Sequence, residues 1–176
     1  MRDIDWKVSI VRLIQILEKL HRIDPAVYEY HLPYVRASDS QLTELEREIG
    51  EPLPPDYRAF LAHAGGWRKV VWGLDLLPPE GLLRGEQYAK GREALSWLEA
   101  SGVLAEYELR PPDLHVVGLA DDNIDLFVLQ RYTTKEPGVV RWFAGYQIEV
   151  WHDFSECFLS VLELNRRHLE RRESKT

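Results

Sequence analysis

The chain has few of the residues on which most catalytic, membrane and nucleic-acid functions depend. It has one cysteine, Cys157, in 176 residues. That excludes an internal disulfide framework and any multi-cysteine zinc site, and it fits a reducing compartment. No apolar run approaches the roughly 20 residues needed to cross a bilayer. The N-terminus has no basic segment leading through an apolar stretch to a small-residue cleavage site. The expectation is a cytoplasmic protein without membrane insertion. Basic residues are in the minority, with 22 Lys and Arg against 29 Asp and Glu, for a net charge of −7. Phosphate neutralisation needs clustered Lys and Arg, so nucleic acid is not an expected partner.

Recognisable catalytic and metal signatures are missing too. The six histidines, His21, His31, His63, His115, His152 and His168, include no helical pair at ligand spacing and no HExxH sequence. There is no GxSxG elbow, phosphate loop or dinucleotide fingerprint. Asp121, Asn123 and Asp125 have the first three spacings of a calcium loop, but Leu126 stands where the turn glycine is required and Tyr132 where the bidentate acid belongs. A polar turn between strands is the better reading. Cys157 falls on the apolar side of an expected helix, as an inert buried thiol does. No catalytic residue, metal or cofactor is expected, and the chain reads as a protein that is not an enzyme.

The acid is unevenly placed. Residues 37–66 hold 2 basic and 6 acidic residues, and residues 113–165 hold 3 and 9. Elsewhere the counts are 6 and 5 in residues 1–36, 6 and 7 in residues 67–112, and 5 and 2 in residues 166–176. An acidic face steers a basic protein into contact and disfavours wrong partners; the plainer reading of the same charge is a solubility surface.

With 45% hydrophobic residues, the chain can bury one sizeable core. Trp6, Ile10, Leu13, Ile14, Leu17 and Leu20 form a helical stripe, which Val8, Val11 and Ile16 widen enough that a well-covered first helix is expected. Asp24-Pro25 and Leu32-Pro33 then break the chain into an extended connection. Ser38 followed by Gln41 has the form of a capping box, and Gly50 can close the helix it opens. Pro52, Pro54 and Pro55 set a corner before a helix over Asp56 to Ala64. Gly65 and Gly66 permit a reversal into a strand from Trp67 to Trp72. A helix over Glu86 to Ala100 is expected despite Gly91. Short β-rich runs follow at Leu114 to Gly118, Ile124 to Tyr132, Gly138 to Phe143 and Tyr146 to Trp151. Asp153 can cap a last helix running to about Arg167, with basic residues at its end. This predicts an α+β single domain, a mainly antiparallel sheet of about four to six strands with flanking N-terminal and C-terminal helices.

The stretch LTELEREIGEPLPPDYRAFLAHAGGW, residues 42–67, combines an acidic helix ending in Ile49-Gly50, then Leu53-Pro54-Pro55-Asp56-Tyr57-Arg58-Ala59-Phe60-Leu61, then a glycine pair. Downstream come Val117-Gly118, the turn Asp121-Asp122-Asn123, a strand to Gln130, Pro137-Gly138-Val139-Val140, and Trp151-His152-Asp153-Phe154. In order and composition this resembles the SUKH superfamily, which includes fungal cell-wall assembly regulators and many bacterial immunity proteins. The resemblance covers roughly Ala37 to Asn165; the segment Asp75 to Pro112 matches poorly, and the first helix lies outside it. It divides the chain into an N-terminal helix and connection packed on the core (1–36), a SUKH-like domain (37–165) and a basic tail (166–176). It implies a noncatalytic immunity protein that binds a cognate toxin, or another basic protein, through an acidic sheet-and-loop face. The alternative is a regulatory scaffold in cell-wall or cell-envelope assembly. The candidate partner-binding residues are Trp67, Asp121, Asp122, Asp125, Glu136 and Trp142. The two tryptophans are included because they alternate with the charged neighbours Arg68, Lys69 and Arg141, although core placement is the ordinary fate of such residues.

Overall fold

A computed structural model describes residues 4–121 and 125–174. The order of elements is α1 (Trp6–Ile23), α2 (Asp39–Ile49), α3 (Pro55–Leu61), β1 (Trp67–Val71), β2 (Leu74–Leu76), α4 (Gly85–Ala100), β3 (Leu114–Ala120), β4 (Asp125–Gln130), β5 (Val140–Ala144), β6 (Gln147–Trp151) and α5 (Phe154–Glu173). The six strands form one antiparallel sheet in the order β1-β2-β3-β4-β5-β6. The expected α+β domain with terminal helices is what the chain adopts, and α1 and α5 pack on each other.

Local chemistry sets the boundaries. At α2 the Ser38 amide donates to Gln41 Oε1 (2.8 Å), the Gln41 amide donates to Ser38 Oγ (3.3 Å), and Gly50 takes a left-handed φ of 78°. Asp5 caps α1 and Asp153 caps α5 by accepting from Val8 and Glu156 amides. The glycine pair before β1 is required by close approach. The Tyr34 amide donates to Gly66 O (2.9 Å) and the Gly65 amide to Tyr34 O (3.2 Å), and a Cβ on Gly65 would stand 2.2 Å from Val35 O.

The sheet is covered on both faces. One face carries Trp67, Leu74, Leu76, Phe127, Leu129, Val140, Trp142 and Trp151, which pack with α1, α2, α3 and α5. There Phe60, Phe154 and Phe158 meet Trp6, and Tyr57 packs on Phe60 and Phe154, its ring centroid 4.8 Å from that of Phe154. The other face carries Leu114, Val116, Leu119, Leu126, Val128 and Phe143 under Ala94, Leu95 and Leu98 of α4. A β-bulge at Val117 shifts the alternation of β3, so that Val116 and Leu119, three residues apart, enter the same core.

Four details differ from the sequence expectations. Val8 and Val11 are exposed, so the buried stripe of α1 is narrower than its apolar content suggests. Trp72 lies in a turn, not in a strand. β2 is a three-residue strand that no periodicity marked. Helix α5 continues past Arg167 to Glu173, because Leu169 extends its buried stripe and Arg166 and Arg167 pair with Glu163 and Glu170 on its surface.

Candidate functional site

In an antiparallel meander alternate connections lie at the same end. The β1–β2, β3–β4 and β5–β6 connections therefore share one end of this sheet, and the β4–β5 connection lies at the other. In the first hairpin Val71 pairs with Leu74, and the two residues between them, Trp72 and Gly73, have φ of 44° and 77°. Consecutive positive φ values make a primed two-residue turn, which suits the twist of a hairpin and normally carries Asn-Gly. A bulky tryptophan in the left-handed region is an outlier that its surroundings must hold. The Trp72 ring lies 5.4 Å from that of Trp142 and 5.3 Å from that of His168, yet it is 50% exposed.

Lys69 ties the first two hairpins together. Its buried Nζ donates to Gly73 O (3.1 Å), stands 3.7 Å from Asp75 Oδ1 and pairs with Asp121 beyond β3. The hydrogen bond from Lys69 holds the Asp121 carboxyl below the usual range, and the charges of Lys69, Arg68 and Lys90 add to it. Asp125, at the start of β4, accepts from Trp142 Nε1 at 2.6 Å. The third tip presents Tyr146, 66% exposed, and Trp97 of α4 reaches toward it: the ring edge lies 4.0 Å from where a Cβ on Gly145 would stand.

The expected partner-binding residues fall into separate groups. Asp121 and Asp125 share the hairpin end. Asp122 lies outside the described residues. Glu136 sits in the β4–β5 connection at the opposite end, about 20 Å away by the length of a six-residue strand, where it accepts from Arg141 Nη2 (2.9 Å). Trp67 is fully buried and donates from Nε1 to His31 O (2.9 Å). Trp142 is buried against Phe127 and Trp151. Period-two alternation puts Arg141 opposite in face to Trp142 and Arg68 opposite to Trp67, while Lys69, two residues from Trp67, departs from it at the irregularity of β1, where its φ is 51°. The exposed aromatics at the hairpin end are instead Trp72, Trp97 and Tyr146. A Trp-Gly pair between two apolar runs was the signal for the first, and the polar neighbours of Trp97, away from Leu95 and Leu98, for the second.

Away from the hairpin end, one cleft is built from polar groups that are engaged structurally. A cleft of about 200 Å³ is lined by Ile49, Leu83, Tyr88, Arg92, His115 and Arg131. There Arg92 donates to Pro111 O, while His115 and Arg131 both donate to Glu51. Burial pushes the Cys157 thiol up, and the charges of Glu149, Asp56 and Asp153 push it further, which leaves it a poor nucleophile. Among the described residues no group of His, Cys, Asp and Glu could hold a metal ion, and no helix is long and apolar enough to cross a membrane.

Among family models, that of the SMI1 / KNR4 family (SUKH-1) matches residues 36–160, well over half of the chain and including the segment 75–112. No curated protein matches.

Proposed function

The chain belongs to the SMI1 / KNR4 family (SUKH-1), a family of immunity-like proteins, and from that premise we propose that it is a noncatalytic domain that neutralises a cognate toxin by binding it through the hairpin end of the sheet. The observation that carries this reading is Trp72, half exposed in a strained turn and braced by Trp142 and His168. A rigid aromatic that loses little freedom on contact is the kind of residue that anchors an interface. Tyr146 and Trp97 supply further amphipathic surface, and Asp121 adds negative charge at the rim. Such a surface suits a basic partner, with the charge serving on-rate and partner choice more than affinity.

Co-expression tests this. Toxic domains encoded beside the gene are expressed with the wild-type chain and with Trp72→Ala. Suppression of toxicity by the wild type and its loss in a folded Trp72→Ala protein is the expected result. If the wild-type chain protects against none of these domains and binds none of them, the immunity reading falls and the regulatory scaffold takes its place.

A further inference from the structure

The two edges of the sheet are treated differently. At β1 the edge is closed: Val70 O accepts from Asn165 Nδ2 of α5 (2.9 Å), and Gly65 and Gly66 bond to Tyr34. β6 is the last strand in the order, and among the described residues no strand lies on its side away from β5. Its outer N–H and C=O groups are a template for one more strand.

The side chains along β6 sort by face. Val150 lies opposite Arg141, whose guanidinium stands over the Tyr107 ring, and that ring packs on Phe143 of the α4 side. Ile148, two residues away, is the extra residue of a bulge opposite Trp142 and Phe143. Ile148 and Val150 are 38% and 48% exposed, and Tyr146 and Trp97 of α4 continue the apolar surface. Glu149 points the other way, opposite Trp142. On that side Asp56 accepts from the Ser155 amide (3.0 Å), Asp153 caps α5, and Glu156 Oε2 accepts from the His152 amide (3.1 Å). The edge thus exposes Ile148 and Val150, with Gln147 bonded to Arg141 on the Val150 face, and is acidic on the other face.

We propose that β6 accepts an extended segment of a partner protein as a seventh strand, and that this segment alternates basic and apolar residues. Its apolar side chains lie against Ile148, Val150 and Trp97, and its lysines or arginines face Glu149 and the carboxylates around the start of α5. Period-two alternation on the incoming strand is what a two-faced edge selects. A second copy of this chain is the wrong occupant, since it would bring two sets of these carboxylates together in a protein of charge −7. The inference rests on the protein-binding reading and adds the conformation and residue pattern of the bound segment.

The test uses the full chain and a blocked synthetic peptide of about ten residues alternating lysine and valine, with a glutamate–valine peptide as control. Hydrogen exchange at residues 147–151 is followed with and without peptide. Protection of β6 by the lysine peptide alone, weakened about tenfold or more by Glu149→Lys and abolished by Ile148→Glu with Val150→Glu, supports the proposal. No protection, equal protection by both peptides, or indifference to the variants overturns it. So does a dimer of the free chain that Val150→Glu dissolves, because the edge would then belong to a second copy. Toxin neutralisation that survives Ile148→Glu with Val150→Glu, with no peptide protection, removes this inference and leaves the protein-binding reading standing. Peptide protection with no neutralisation does the reverse.

Discussion

Glu51, just beyond α2, accepts from Nε2 of His115 in β3 at 2.8 Å, although 64 residues separate them. The same carboxylate oxygen accepts from Arg131 Nε at 2.7 Å, so one acid fastens the α2–α3 corner to β3 and to the residue just beyond β4. Burial, the largest influence, holds His115 below the ordinary histidine range, and Arg131 and Arg92 push the same way against the opposing bond and charge of Glu51. The unfolded chain therefore takes up this proton more readily than the folded one. The stability involved is present above about pH 6.5 and is lost as pH falls through the lowered folded value. His168 is also lowered, by partial burial and then by Arg171 and Arg172. The test is thus the difference between proteins: His115→Gln should show a shallower loss of stability between neutral and mildly acidic pH in urea titrations. Glu51→Gln should cost on the order of 3 kcal/mol at neutral pH, because it leaves Arg131 without its charge partner in a half-buried setting.

Tyr57 offers the opposite case, a buried polar group with nothing to bond. Its ring packs on Phe154 and Phe60 with no exposure, its hydroxyl finds no hydrogen-bond partner among the described residues, and burial pushes its phenol far above the ordinary range. An unpaired buried hydroxyl costs free energy that a ring of the same shape without it does not. Tyr57→Phe should leave the fold intact and raise the unfolding free energy by about 1 kcal/mol, read from the urea midpoint at unchanged slope.

Trp72 is where stability and recognition should separate. Trp72→Asn converts the tip to Asn-Gly, the residues that a primed turn prefers, while removing the contacts with Trp142 and His168. Relief of left-handed strain and loss of stacking are each worth about 1 kcal/mol, so the thermal midpoint should move little. Affinity for a cognate toxin should fall at least about tenfold. A large loss of stability with affinity retained would make Trp72 a structural residue.

These residues also show what was legible in the sequence. The Ser38 to Gly50 helix could be read because its start and stop signals are local, and the β3 to β6 meander because its strands are separated by polar or glycine turns. Trp72 was missed because the β propensity of Val70-Val71-Trp72 reads as one continuous strand and outweighs the turn signal of the Trp72-Gly73 pair. Glu51, His115 and Arg131 could not be grouped, since nothing local pairs residues on two loops and a strand far apart in the chain. The hairpin-end cluster of Lys69, Asp121 and Trp72 is likewise a product of meander topology, not of spacing along the chain.

Gly91 is the sharpest test of how the two cores constrain sequence. It lies inside α4, where glycine is ordinarily about 1 kcal/mol worse than alanine. A Cβ there, however, would stand 3.1 to 3.2 Å from Cβ, Cγ1 and Cγ2 of Val116 in β3. All three atoms are close, so rotating the valine moves one methyl away only by bringing other atoms in, and the helix would have to lift from the sheet. Gly91→Ala should therefore destabilise by about 1 kcal/mol or more, against the helix propensity scale. With Val116→Ala already in place the two methyl contacts are gone and only the 3.1 Å contact with Cβ remains, so the same substitution should cost less, giving a coupling of on the order of 1 kcal/mol in the double-mutant cycle. If Gly91→Ala stabilises the wild-type background, α4 and β3 have room to separate, and the glycine is not there for close packing.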